Sequence, residues 1–149
     1  MKNETNEAYA VEGFLESATA AAMESKRLER RIDELDKRLG ALRRRKQRTA
    51  AKRLSELLGE EMQRERQQIG REMEQYRRVE AFLDRIPDGM CRTILKRRYL
   101  EVGVNWTEIQ DGLAQDGMFY SQRHLVRLFT RALEQAQRLW DGEGGTERR

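Results

Sequence analysis

The chain has 149 residues, 38% charged and 38% hydrophobic, with a single proline and a single cysteine. That length holds one domain, or a small domain plus an extended helical arm; the lone Cys91 excludes an internal disulfide and a cysteine-rich zinc site. Thirty Lys and Arg against 26 Asp and Glu leave a net charge of +4, too small an excess to establish a nucleic-acid partner by itself.

Ala, Leu, Glu, Arg, Gln and Lys dominate, and these residues lose least on entering a helix. Runs of Val, Ile, Thr and aromatics that would make strands are missing, so an all-α fold is expected. No apolar run approaches the roughly 20 residues needed to cross a bilayer, so no membrane partner is expected. No charged n-region followed by an apolar h-region opens the chain, and a cytoplasmic protein is expected.

In chain order, residues 1–20 have weak periodicity and read as a frayed or loosely docked N-terminal helix. Leu28, Ile32, Leu35, Leu39 and Leu42 then alternate spacings of four and three, a heptad seam too narrow to bury itself alone. It predicts pairing with a helix of this chain or of a second copy, hence a homodimer as one expected partner. The seam fails after Leu42, since its register would place Lys46, Thr49 and Arg53 in a core.

Apolar residues resume at Leu54, Leu57 and Leu58. Met62, Ile69, Tyr76 and Leu83 recur every seven residues, joined by Met73, Val79 and Ile86. One helix from Lys26 to Ile86 would be about 90 Å long. A hairpin turning between Arg43 and Ala51 buries the two stripes more economically and is preferred, although no Pro or Gly marks the turn. The Arg43–Arg53 cluster reads as a solvated helix end, with a phosphate contact as the alternative.

Pro87 closes the second arm, and Asp88 can cap the next helix, whose apolar face carries Cys91, Ile94, Leu95 and Tyr99. Cys91 reads as a small core hydrophobe. Gly103 lies in the following connection. Asn105 is a candidate N-cap, with Glu108 completing a capping-box pattern, before a short helix bearing Trp106, Ile109, Gln110 and Leu113. Asp116-Gly117 signals a turn. Ser121 caps the last helix, whose predicted core face is Leu125, Leu128, Phe129, Ala132, Ala136 and Leu139. The organisation read from this pass is a coiled-coil-like arm or hairpin over 1–86, a three-helix helix-turn-helix domain over 87–141 and a tail over 142–149.

Function concentrates in the last helix. At 100° per residue, Arg123, Arg127 and Thr130 lie nearly opposite the core face, with Gln122, His124 and Arg131 on its flanks. No acidic residue interrupts that surface before Glu134. Arg can read guanine O6/N7 and Gln adenine N6/N7 in a major groove, which makes double-stranded DNA the expected partner. His124, the sole histidine, lacks companions for a metal site. There is no Gly-rich phosphate loop, no histidine-centred triad, and no Ser or Cys beside a candidate base, so neither enzyme activity nor a cofactor is expected.

The stretch from Ile86 to Leu139 resembles the fourth region of bacterial sigma factors, and most of all the phage-encoded transcription regulators that carry it behind a helical segment. The resemblance rests on ILKRRYLE, on W-T-E-I at Trp106–Ile109 and on S-x-R-H-L-x-R-L from Ser121. It covers about a third of the chain. It implies promoter contact by Gln122, Arg123, Val126 and Arg127, with Trp106 and Thr107 near the DNA backbone. It also implies that the arm sets oligomeric state or engages RNA polymerase. Two positions depart from the pattern: AQDGMFY lengthens the turn before Ser121, and Gln110 stands where a small residue is usual. The rival readings are a small terminase subunit recognising a packaging site and a coiled-coil adaptor that binds no DNA.

Overall fold

The structure, a computed structural model, describes residues 9–44, 48–101 and 104–143, with the side chains of 48–50 excepted. Within them the protein is all-α. Its helices are α1 (Val11–Arg43), α2 (Arg48–Asp84), α3 (Gly89–Tyr99), α4 (Trp106–Gln115) and α5 (Gln122–Gly142). The chain groups into two compact units, residues 21–75 and residues 1–20 with 76–149.

In the 21–75 unit, α1 ends and α2 begins inside the window expected for a turn. Leu35 and Leu39 pack with Leu58 and Met62, flanked by Ile32 and Leu42, so the heptad seam is filled by the chain's own second helix. Ser25, three residues before Leu28 on the same seam, is buried with its hydroxyl unpartnered. Arg31 Nη2 donates to Glu61 Oε1 across the pair at 2.9 Å. Leu54 and Leu57 stay 46% and 43% exposed, so only Leu58 of that apolar trio enters the core.

The other unit differs from the expected separation of an arm over 1–86 from a domain starting at 87. Val11, Leu15 and Ala18 of α1 are fully buried, in one cluster with Val79, Phe82, Leu83 and Ile86 of α2, Cys91, Leu95 and Tyr99 of α3, and Ala132, Leu133 and Ala136 of α5. The start of α1 is therefore neither frayed nor loosely docked; residues 1–8 lie outside the described residues. Phe14, Phe82 and Trp140 form an aromatic group with centroid separations of 4.8–6.0 Å. Polar contacts tie the same surfaces: Gln137 Oε1 accepts from the Val11 N–H at 2.9 Å, Thr19 Oγ1 donates to the Tyr99 carbonyl at 2.6 Å, and the Tyr76 hydroxyl donates to the Leu100 carbonyl at 3.0 Å. About 60 residues make a marginal core, and this docking supplies the apolar area they lack.

Asp88 caps α3, its carboxylate accepting from the N–H groups of Cys91 and Met90 at 3.0 and 2.9 Å, which hold its pKa below the usual carboxylate range. Cys91 is buried, and desolvation raises its thiol pKa. The last helix continues to Gly142, where the tail was expected to begin; residues 144–149 and Gly103 lie outside the described residues. No helix among the described residues is long and apolar enough to cross a membrane.

Candidate nucleic-acid interface

The helices α3, α4 and α5 meet around Ile94, Ile109, Leu113 and Leu125, all essentially inaccessible to solvent. Asn105 Oδ1 accepts from the Glu108 N–H at 2.9 Å and starts α4. Ser121, extended at φ −69° and ψ 158°, accepts from the His124 N–H at 3.1 Å and starts α5. Trp106 is half-buried rather than fully enclosed, with its ring edge on Phe129 at 5.0 Å.

The turn between α4 and α5 has a well-defined cause. Gly117 takes φ +84°, the left-handed region where a side chain is costly. The Met118 N–H donates to the Leu113 carbonyl at 2.9 Å and the Gly117 N–H to the Ala114 carbonyl at 3.0 Å, the paired bonds of a Schellman motif. Leu113 and Met118 share the same apolar cluster, which supplies the hydrophobic contact that accompanies this motif. Asp116 is held from outside by Arg97, whose Nη2 donates to its carboxylate at 2.8 Å. The longer AQDGMFY segment is thus an ordered helix stop.

Gln110 acquires a role through that longer turn. Its Nε2 donates to the Tyr120 carbonyl at 2.7 Å, while its Oε1 accepts from Gln122 Nε2 at 3.3 Å. Gln122 Nε2 also donates to Thr107 Oγ1 at 2.9 Å. A small residue at 110 could not make these bonds. The turn also presents Phe119, 79% exposed, at the rim of an open depression of ≈ 530 Å³ lined by Gln110, Asp111, Ala114, Tyr120 and Ser121.

Gln122, Arg123, His124, Val126, Arg127, Thr130 and Arg131 are all exposed along α5, as is Thr107 on α4. Of these, the structure joins Gln122 to Thr107. Thr130 Oγ1 turns back to the Val126 carbonyl at 3.1 Å, and His124 stacks obliquely on Tyr120 at 5.1 Å. Neither Arg123 nor Arg127 is ion-paired among the described residues. Arg131 lies close enough to Asp88 to help depress that carboxyl's pKa. Glu134 accepts from the Tyr9 hydroxyl at 3.4 Å, an engagement with the N-terminal segment that its position in α5 alone does not announce.

The basic stretch from Arg92 to Arg98 is largely spent inside the protein. Arg92 Nη1 donates to the Ile86 carbonyl at 2.8 Å, Lys96 pairs with Asp84, and the Arg98 guanidinium lies 5.3 Å from the Tyr99 ring centroid. The core face of α5 is broader than expected: Leu133 is buried, while Leu128, Phe129 and Leu139 are half-buried. Leu133 lies on a flank covered by the other elements of the larger core. No group of three or more His, Cys, Asp or Glu among the described residues could hold a metal ion. Compared with known proteins, the chain matches no family model, and no curated protein or solved structure is significantly similar to it.

Proposed function

We propose that the chain is a sequence-specific DNA-binding transcription regulator of the sigma-region-four type, with α4 and α5 as its helix-turn-helix. The observation carrying this reading is the exposed face of α5. From Gly117 to Leu133 it has no acidic residue, it presents Arg123 and Arg127 unpaired, and it is fixed from behind by Leu125 and Ile109. A helix braced in this way can enter a major groove with its N-terminal half. The seam Leu28–Leu35–Leu39 is covered within the chain, so the proposal needs no second copy.

Roles divide along the helix. Arg123 and Arg127 read bases, and Val126, 45% exposed, offers apolar contact to a thymine methyl. Gln122 uses its amide to hold α4, so reading adenine with both ends of that amide requires it to release Thr107. Thr107 and Trp106 lie at the start of α4, where backbone contacts are made, and Arg131 contacts phosphate.

The test is a competition titration on selected and scrambled duplexes at two salt concentrations. Arg127→Ala should weaken specific binding by about 1–3 kcal/mol and relax preference at one position. Arg131→Ala should weaken both duplexes alike and reduce the salt slope by about one unit. Failure of the wild type to bind either duplex at low salt would sink the reading and favour an adaptor that binds no DNA.

A further inference from the structure

The densest positive charge of this protein lies outside α5. Residues 37–55 carry nine Lys or Arg and no Asp or Glu, leaving 21 Lys and Arg against 26 Asp and Glu everywhere else. Residues 87–149 are almost balanced, ten against nine. Duplex DNA is held chiefly by neutralised phosphates, and a nearly neutral domain supplies little of that attraction.

Helix stability does not account for the cluster. Cations in the last turn of α1, such as Arg43, complement that helix's dipole. The first turn of α2, however, contains no acidic residue to complement its dipole. Elsewhere in the same unit, Arg27 pairs with Glu24 at 2.6 Å and Arg31 with Glu61 at 2.9 Å. Among the described residues of the 37–55 stretch, only Arg53 has a carboxylate partner, Glu56 at 3.4 Å. Lys37, Arg38, Arg43, Arg44 and Lys52 are exposed and unpaired. Like charges clustered in sequence on exposed helix surface repel one another, and a bound polyanion offsets that cost.

We infer that this end of the α1–α2 pair is a second, sequence-independent binding site for the phosphate backbone of duplex DNA. The inference rests on the DNA-binding reading for its ligand but uses none of the residues of α5. Base preference belongs to α5; bulk affinity and salt dependence belong to the basic end of α1 and α2.

The experiment uses the full chain on a selected duplex and its scramble, with affinity followed against salt. A Lys37→Gln, Arg38→Gln, Arg43→Gln, Arg44→Gln, Lys52→Gln variant should lose affinity equally for both duplexes. Its log–log salt slope should fall by up to about 4.5 units, at about 0.9 per phosphate contact, with the ratio between duplexes unchanged. Exchanging Arg38, Arg43 and Arg44 for Lys should keep the wild-type slope, because charge alone is required. An Arg123→Ala, Arg127→Ala variant should do the reverse, losing the ratio while keeping the greater part of the slope.

An unchanged slope in the Gln variant overturns the inference and leaves the α5 reading standing. An unchanged ratio in the α5 variant overturns that reading and leaves the phosphate site standing. Loss of binding to phosphatidylserine vesicles by the Gln variant, with its DNA slope intact, would assign the patch to a membrane surface and also overturn the inference.

Discussion

Gln122, the first residue of α5, donates through its side-chain amide to the hydroxyl of Thr107 in the first turn of α4, at 2.9 Å. A residue to which the proposed function gives a DNA contact is therefore also a strut of the domain. Both groups are exposed, so water competes and the bond contributes about 0.5–1 kcal/mol. A cycle of Thr107→Val, Gln122→Ala and the double variant should give a coupling of that size in chemical denaturation. Strict additivity would show that the bond does not hold the helices.

Burial separates two nearby aromatic and aliphatic positions from a third. Leu125→Ala removes a fully enclosed side chain and should cost about 2–5 kcal/mol. Trp106→Ala should cost less, because the ring is half-buried. Phe119→Ala should fall within about 0.5 kcal/mol of wild type, its ring being 79% exposed. Melting of the three variants would order them; a Phe119 loss as large as that of Leu125 contradicts the arrangement.

At the helix stop, Gly117→Ala should destabilise by about 1–2 kcal/mol. Nothing lies within 4 Å of the added methyl, so the cost is that of the φ +84° backbone and not of a clash. Gly117→Asn should be milder, because Asn visits that region more readily. Equal stability of Ala and Gly at 117 would show that the turn has a different conformation.

Asp88 predicts an acid limb. The N–H groups of Cys91 and Met90 depress its folded-state pKa, so ionised Asp88 favours the folded state. That contribution is complete above the ordinary carboxylate range and is lost as pH falls through the depressed value. Asp88→Asn, which keeps a capping oxygen, should flatten this part of the stability profile between neutral pH and strong acid. A profile parallel to wild type would place the titration elsewhere.

How far the sequence could be read depends on whether a residue's neighbours are local. The all-α class, the Asn105 and Ser121 caps and the stop at Asp116-Gly117 depend on bonds within a few residues, and each was legible. The break between α1 and α2 was legible too, because the Leu28–Leu42 seam demanded a partner that Lys46 and Arg53 could not provide. Burial of Val11, Leu15 and Ala18 was missed although their spacings of four and three mark one helical face, because the Ala and Ser residues around them make that stripe weak and its covering elements α3 and α5 lie far along the chain. Leu133 and Phe82 were missed for the same reason. The engagement of Gln122 depended on the path of a longer turn, which only the Gly117 backbone reveals.

The enclosure of Val11 beside Ala136 has a consequence for how the protein is made. A ribosome releases the first segment of this core long before the last exists, so the apolar side of Val11, Leu15 and Ala18 must wait for α2 and α3, and then remain only partly covered until α5 is made. Residues 21–75 can close on local contacts in the meantime, which shortens the loop that the delayed closure has to span. A stop codon before α5 would leave that early segment permanently without the part of its cover that Ala132, Leu133 and Ala136 supply, and such a product would be a substrate for chaperones and proteases rather than a smaller folded protein.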